Sequence, residues 1–121
     1  MSTVLIVDDS HASLKLLSEI LENNGYKTST ADHARKAFDS LETFLPDIIL
    51  LDLMMPDISG YQVLQTIIAN DRTSDIPVII ISARTERMDI QKAFDLGAVD
   101  YITKPIVIKE LLEKVEGALV E

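Results

Sequence analysis

The sequence contains no cysteine and no tryptophan, and it is poor in basic residues. The absence of cysteine excludes disulfide scaffolds, thiol catalysis and zinc sites built on cysteine ligands. Only 11 basic side chains stand against 20 acidic ones, and the formal net charge of −9 argues against direct binding to nucleic acid or a polybasic membrane anchor. No apolar run approaches the roughly 18 residues of a membrane span, and the first residues lack the basic start of a signal peptide. We therefore expect a cytoplasmic protein.

The length and apolar content indicate one domain. With 121 residues, 47% of them hydrophobic, the chain can bury a sizeable core and is too apolar for a disordered acidic tail. No internal repeat, low-complexity segment or interior linker divides the sequence. We expect a single domain over residues 1–121.

Short apolar runs alternate with segments of helical spacing. The runs are continuous rather than alternating, which is typical of parallel strands buried on both faces. They cover residues 4–7, 48–51, 78–81 and 99–102. A more polar segment at 27–31 is typical of an edge strand, and helical spacing fills the intervals, with 10–24 and 108–119 among them. Five strands alternating with five helices predict an α/β fold, in which an open parallel sheet lies between layers of helices.

Polar side chains follow four of the predicted strands at the points where those strands end. They are Asp8, Asp9 and Ser10, then Asp52, then Ser82, then Thr103 and Lys104. Because ligands bind outside the carboxyl ends of parallel strands, we expect three carboxylates, a hydroxyl and an ammonium to meet at one edge. Each residue alone has an ordinary interpretation as a helix cap, a turn residue or a solvated charge. Their convergence from separate strand ends favours a functional site.

The predicted pocket needs a cation. Three carboxylates close together repel one another, so one of them would protonate unless a cation intervenes. Mg²⁺ fits this requirement best, because it prefers oxygen ligands, needs few of them from the protein and keeps waters that a phosphate can replace. Three carboxylates and the Lys104 ammonium leave two net negative charges, which a divalent ion cancels. The pocket would then accept a phosphoryl group.

Five separated motifs resemble the receiver domain of two-component response regulators of the chemotaxis-regulator type. They are Val7-Asp-Asp-Ser10, Asp52-Leu-Met-Met-Pro56, Gly60, Ser82-Ala83 and Leu96-Gly-Ala-Val-Asp-Tyr-Ile-Thr-Lys-Pro105. The resemblance covers essentially the whole chain, with the family's order and spacing. It implies a flavodoxin-like sheet in the strand order 2-1-3-4-5, with five helices on both faces.

The resemblance also implies what the site binds. Asp52 would accept a phosphoryl group from a histidine kinase or a histidine phosphotransfer protein, so the domain would signal and would not be an enzyme in the ordinary sense. Asp9, Asp52 and the backbone carbonyl of Met54 would ligate Mg²⁺ or Mn²⁺, and Asp8 would act through a metal-bound water.

A second group of residues would respond to the phosphoryl group. By the resemblance, Lys104 would pair with the carboxylate before transfer and with a phosphoryl oxygen afterwards, and Ser82 would move to hydrogen-bond that group. Tyr101 would change between exposed and buried rotamers, reshaping the face of the fourth helix, fifth strand and fifth helix that controls an output domain or a downstream protein. The resemblance also implies that Met54 and Arg84 would tune the lifetime of the phosphoryl group. The bond before Pro105 is expected to be cis.

Three rival classes of protein fit the sequence less well. A phosphatase of the haloacid-dehalogenase type needs a second aspartate two residues after the nucleophile, where this chain has Met54. A flavodoxin-like FMN carrier needs a phosphate loop rich in Ser, Thr and Gly, where Asp8 and Asp9 would repel the phosphate. A degenerate receiver that acts only in docking would lack one of the key residues, and all of them are present.

The first helix offers a candidate partner surface. Its five large aliphatic side chains span an arc of roughly 160° at about 100° per residue, which is wider than one sheet face needs. We expect Leu16 and Ile20 to stay partly exposed, with burial against the fifth helix as the alternative. His11 is predicted to be a partly exposed histidine at the start of this helix, and His33 is assigned no role.

Overall fold

The computed structural model describes residues 2–120, which form a five-stranded parallel sheet flanked by five helices. The strands are β1 (Thr3–Val7), β2 (Lys27–Ala31), β3 (Ile48–Asp52), β4 (Val78–Ser82) and β5 (Asp100–Thr103). The helices are α1 (His11–Glu22), α2 (Ala34–Thr43), α3 (Gly60–Ala69), α4 (Arg87–Asp95) and α5 (Ile108–Leu119). The strand order β2-β1-β3-β4-β5 confirms the predicted fold class.

Both faces of the sheet are covered by hydrophobic side chains. One face packs against α2, α3 and α4, and the other packs against α1 and α5. Along β1, Leu5 and Val7 belong to the first core and Val4 and Ile6 to the second, because successive side chains of a strand point to opposite faces. Burial on both faces explains why the apolar runs are continuous. Within the described part of the chain, no helix has the length and apolar character to cross a membrane.

The ends of the strands differ slightly from the prediction. Asp52 and Ser82 are the last residues of β3 and β4, because both pair across the ladder, Asp52 with Ile81 and Ser82 with Thr103. β5 begins at Asp100, one residue later than predicted, although the amide of Val99 already donates to the carbonyl of Val78. Asp52 and Ser82 therefore belong to the ladder, which holds their backbone in place.

The first helix is shorter than the predicted 10–24. Ser10 is its N-cap, with its hydroxyl oxygen accepting from the amide of Ser13 at 3.2 Å, so the cap interpretation of this residue is correct. Leu16 is 46% exposed, as expected. The expectation for Ile20 is wrong: it is only 8% exposed, because it packs into the core between α1, α5 and the sheet.

Candidate functional site

Three carboxylates meet where β1 and β3 end. Asp8 and Asp9 directly follow β1, and Asp52 ends the neighbouring strand. Asp8 and Asp52 are buried, Asp9 is exposed, and carboxylate oxygens of the three lie within 4.8 Å of one another. This all-oxygen donor set, open on the side of Asp9, fits a hard divalent cation such as Mg²⁺.

The ammonium of Lys104 lies beside the two buried carboxylates. Its Nζ is 2.9 Å from Oδ2 of Asp8 and 3.6 Å from Oδ2 of Asp52, so the closer pair is formed with Asp8. The hydroxyl of Ser13, one turn into α1, lies 3.4 Å from the same Nζ and was not singled out in the sequence. Burial acts to lower the pKa of Lys104, but the hydrogen bond to Asp8 and the charge of Asp52 outweigh it and hold the pKa above its ordinary value.

The backbone of Lys104 continues the sheet beyond β5. The amide of Lys104 donates to the carbonyl of Ser82 at 2.9 Å, which extends the β4–β5 ladder by one bond. The lysine therefore reaches the pocket from the end of β5 and not from a long loop. The Lys104–Pro105 peptide bond is cis.

The carboxyl of Asp52 is difficult to ionise in the folded protein. Its pKa is raised to about 6. Burial is the main cause and the charge of Asp8 adds to it, whereas the amide of Met54, 3.2 Å from Oδ1, and the charge of Lys104 act in the opposite direction. The carboxyl is thus costly to ionise in the absence of a cation, yet it is ionised at neutral pH. A carboxylate in this condition is stabilised by any cation that enters the pocket.

Gly60 brings the start of α3 against the end of β3. Its amide donates to the carbonyl of Leu53 at 2.9 Å. A Cβ at this position would stand 2.4 Å from the carbonyl oxygen of Asp52 and 2.5 Å from the Cα of Leu53, both of them backbone atoms. Only glycine permits this approach, which sets the position of the Asp52 backbone.

Ser82 and Tyr101 hold the loop that follows β4. The buried hydroxyl of Ser82 accepts from the amide of Arg84 at 3.1 Å, and the hydroxyl of Tyr101 donates to the carbonyl of Arg84 at 2.9 Å. Tyr101 is therefore in a buried rotamer in this structure. One residue, Arg84, connects the end of β4 to the tyrosine of β5.

The side chain of Arg84 reaches across the mouth of the site. Its Nε lies 3.2 Å from Sδ of Met54, and its Nη1 lies 3.4 Å from Oδ1 of Asp89. The same oxygen of Asp89 accepts from the hydroxyl of Tyr61 at 2.8 Å, which joins α3 to α4. Sequence reasoning missed Tyr61 and Asp89, because a contact between two helices leaves no local pattern.

The two histidines lie on Asp32, in the β2–α2 loop. Nε2 of His11 is 3.1 Å from one carboxylate oxygen, and Nδ1 of His33 is 2.6 Å from the other. The hydrogen bonds with His33 and then with His11 lower the pKa of Asp32 to about 2. His11 is 79% exposed, in agreement with its interpretation as an exposed residue at the start of α1.

Comparison with known proteins gives the family. Residues 4–116 match the response regulator receiver domain, and the chain belongs to this family of two-component signalling domains. Such domains are signalling modules and not classic enzymes, and phosphorylation and Mg²⁺ binding are general features of the family.

Similar sequences occur inside longer proteins. The chain is 39% identical to the DNA-binding dual master transcriptional regulator RpaA of Synechocystis, over 98% of this chain and 49% of that protein. It is 41% identical to the transcriptional regulatory protein KdpE of Staphylococcus aureus, over 94% and 48%. A probable cyclic di-GMP phosphodiesterase of Vibrio cholerae is 39% identical, over 97% and 26%. The chain thus spans about half the length of the two regulators and about a quarter of the third protein.

Solved structures share the whole fold. A putative response regulator from Chloroflexus aurantiacus superposes with a TM-score of 0.95 at 28% identity, covering 99% of this chain and 98% of that one. The signal receiver domain of a histidine kinase from Syntrophus aciditrophicus gives 0.91 at 32% identity, covering 98% and 90%. These structures confirm the receiver fold that the sequence motifs imply.

Proposed function

We propose that this chain is a receiver unit, extending over residues 1–121, that accepts a phosphoryl group on Asp52 in a Mg²⁺-dependent reaction. The donor is a histidine kinase or a histidine phosphotransfer protein. The observation that carries the proposal is the burial of Asp52 within 3.6 Å of the Lys104 ammonium and beside two further carboxylates. The family and its general phosphorylation chemistry support the same role.

The carboxylates and one backbone carbonyl form the metal site of this proposal. Asp9, Asp52 and the backbone carbonyl of Met54 would hold a Mg²⁺ or Mn²⁺ ion, and Asp8 would act through a metal-bound water. When bound, the ion neutralises charge on the phosphoryl oxygens. The raised pKa of Asp52 supports this role, because a cation in the pocket would stabilise the ionised carboxylate that burial destabilises.

The transfer itself needs an ionised nucleophile and a mobile cation. A carboxylate oxygen of Asp52 attacks the phosphorus, and the bond between phosphorus and the donor imidazole nitrogen breaks. A pKa of about 6 leaves Asp52 ionised at neutral pH. Lys104, now 2.9 Å from Asp8, moves a short way to pair with a phosphoryl oxygen.

The signal leaves the site through Ser82 and Tyr101. When the Ser82 hydroxyl turns to the phosphoryl group, it gives up the amide of Arg84, and the hydroxyl of Tyr101 loses a fixed partner on the same residue. The face formed by α4, β5 and α5 then changes and controls an output domain or a downstream protein. Met54 and Arg84, in contact at the mouth, tune the phosphoryl lifetime by their effect on water.

The relatives support the wider setting. Transcriptional regulators and a probable phosphodiesterase carry a similar unit within a longer chain, which fits control of an output domain. We propose a cytoplasmic location for the chain. We also expect no direct contact with nucleic acid or an anionic membrane, because the net charge is −9. The exposed Leu16 of α1 belongs to the surface that meets the phosphodonor.

Beryllofluoride, a mimic of a phosphoryl group, tests this proposal without a kinase. Calorimetric titration should give saturable binding that requires Mg²⁺ and disappears in Asp52→Asn. Asp39→Asn is the matched control, because Asp39 is 66% exposed on α2, and it should bind like the wild type. Unchanged binding by Asp52→Asn would exclude this residue as the phosphoacceptor.

A further inference from the structure

Helix α2 begins without a side-chain cap from its own N-cap residue. His33 occupies the N-cap position, and among the described residues its side chain makes no cap hydrogen bond. The carboxylate of Asp57 fills this place from another part of the chain. Its Oδ1 accepts from the amide of Ala34 at 3.1 Å, and its Oδ2 accepts from the amide of Arg35 at 3.2 Å. An anion at a helix N-terminus is also favoured by the helix dipole.

Asp57 lies in the loop that joins the proposed phosphoacceptor strand to α3. This loop covers residues 53–59 and contains Met54, whose carbonyl is the backbone ligand of the proposed metal site. The two ends of the loop are fixed close to Asp52, where the Met54 amide donates to the Asp52 carboxylate and the Gly60 amide donates to the Leu53 carbonyl. The middle of the loop needs a separate support.

The inner and outer sides of the loop are held by different contacts. Met55 and Ile58 pack against the hydrophobic core on the inner side. Asp57 lies between them, is exposed, and accepts from the amide of Ile58 as well as from α2. Desolvation acts to raise the pKa of Asp57, but these three amide hydrogen bonds hold the pKa below its ordinary value. The carboxylate is therefore charged whenever Asp52 is.

We propose that Asp57 is a positioning residue for metal binding, because it fastens the loop of the Met54 carbonyl to the N-terminus of α2. A backbone carbonyl cannot be re-aimed by a rotamer change, so its direction depends on how the loop is held. The bond from Asp57 joins residues 22 and 23 positions apart in the sequence and thereby makes α2 a rigid support for the loop. The inference rests on the proposed function, since it takes the Met54 carbonyl as a ligand.

The inference can be tested by calorimetric titration with Mg²⁺ alone. A salt concentration of about 0.15 M screens charge effects at a distance. Asp57→Ala should raise the Mg²⁺ dissociation constant by about 3- to 10-fold. Loss of a residue that orients a metal ligand typically weakens metal binding by about 10- to 100-fold, so the expected effect is modest. Asp57→Asn keeps one oxygen to accept from the amides of Ala34 and Ile58 and loses the contact with the amide of Arg35, so it should weaken binding less than Asp57→Ala, by about twofold. Equal weakening by Asn and Ala would assign the effect to charge and overturn the inference, as would an unchanged constant in Asp57→Ala.

Ser59→Ala is a control in the same loop. The Ser59 hydroxyl accepts from the amide of Gln62 at 3.4 Å and so caps α3, the helix that follows directly, without joining the loop to a second element. This variant should leave the Mg²⁺ constant unchanged. A loss as large as that of Asp57→Ala would mean that any capping change in the loop weakens the site, which would also overturn the inference.

A repair variant separates fastening the loop from stabilising α2. His33 has the extended backbone of an N-cap (φ −159°, ψ 167°), so His33→Ser should cap α2 locally and recover thermal stability in the Asp57→Ala background. The Mg²⁺ constant should stay raised in the double variant. Its return to the wild-type value would show that Asp57 acts only through helix stability.

Asp9→Asn distinguishes failure of this inference from failure of the proposed function. Asp9 is the exposed member of the carboxylate cluster, and its substitution should weaken Mg²⁺ binding strongly. If Asp9→Asn weakens binding and Asp57→Ala does not, only the positioning role is wrong. If neither affects binding, the proposed metal site itself is wrong.

Discussion

Replacing Asp52 by asparagine removes a carboxyl that is costly to ionise in the folded protein, and the cost can be measured through its pH dependence. Burial raises the pKa of Asp52 from 3.8 to about 6. Between these two values the folded protein holds a proton on this carboxyl that the unfolded chain has already lost. The free energy of unfolding therefore falls as the pH rises through about 6, and the asparagine variant lacks this fall.

The size of the effect follows from the two pKa values. From pH 5 to pH 8, a shift from 3.8 to about 6 costs the wild type about 1 kcal/mol of unfolding free energy. Asp52→Asn should therefore gain about 1 kcal/mol relative to the wild type over this interval. The ion pair with Lys104 forms only when Asp52 is ionised, so its effect is already contained in the pKa of about 6. This window also stays above the sequence pI of about 4.5.

Urea unfolding in the presence of EDTA, followed by circular dichroism at several pH values, gives the difference directly. Asp39→Asn removes an exposed acid of α2 and should give a flat difference over the same range. Adding Mg²⁺ at neutral pH should then stabilise the wild type more than Asp52→Asn, because binding to the folded state adds to stability. A difference between Asp52→Asn and the wild type that does not rise with pH would refute the reasoning.

Other substitutions test the packing of the site, its charges and its partner surface. Gly60→Ala should lower the unfolding free energy by about 3 kcal/mol or more, because the new Cβ would meet backbone atoms. Gly117→Ala, in open space on α5, should raise the unfolding free energy by about 0.5–1 kcal/mol. Similar urea midpoints for the two variants would contradict this. Lys104→Met should tighten Mg²⁺ binding in calorimetry, because the ammonium competes with the ion for the carboxylates. The same variant should slow labelling of Asp52 by acetyl phosphate, because the ammonium assists transfer of the phosphoryl group. Weaker Mg²⁺ binding would count against this. Leu16→Asp should slow transfer from a kinase by about tenfold or more and leave acetyl phosphate labelling intact, and equal loss of both would mark it as structural.

The sequence was sufficient for the parts of the protein that depend on strand order and strand ends. Continuous apolar runs identify buried parallel strands, and the alternation with helices leaves few topologies. Because parallel strands end at one edge, Asp8, Asp52 and Lys104 could be assigned to one place from their positions after the runs. The structure brings these residues together on that edge.

Contacts between elements distant in the sequence could not be predicted in the same way. The preference of Lys104 for Asp8 over Asp52 depends on distances of 2.9 and 3.6 Å, which no motif specifies. The burial of Ile20 depends on how closely α5 lies beside α1. The hydrogen bonds of Asp57 join its loop to the first turn of α2, and the proximity of these two segments follows only from the packed helix layer.

Labelling with acetyl phosphate and Mg²⁺, followed by intact-mass spectrometry and mapping of the modified residue, tests the central claim most directly. The account predicts one added phosphoryl group per chain, carried by Asp52, lost when EDTA is added before the donor and absent from Asp52→Asn. Borohydride reduction of the labelled protein should convert Asp52, and no other aspartate, to homoserine. A phosphoryl group on a different residue, or full labelling of Asp52→Asn, would contradict the account.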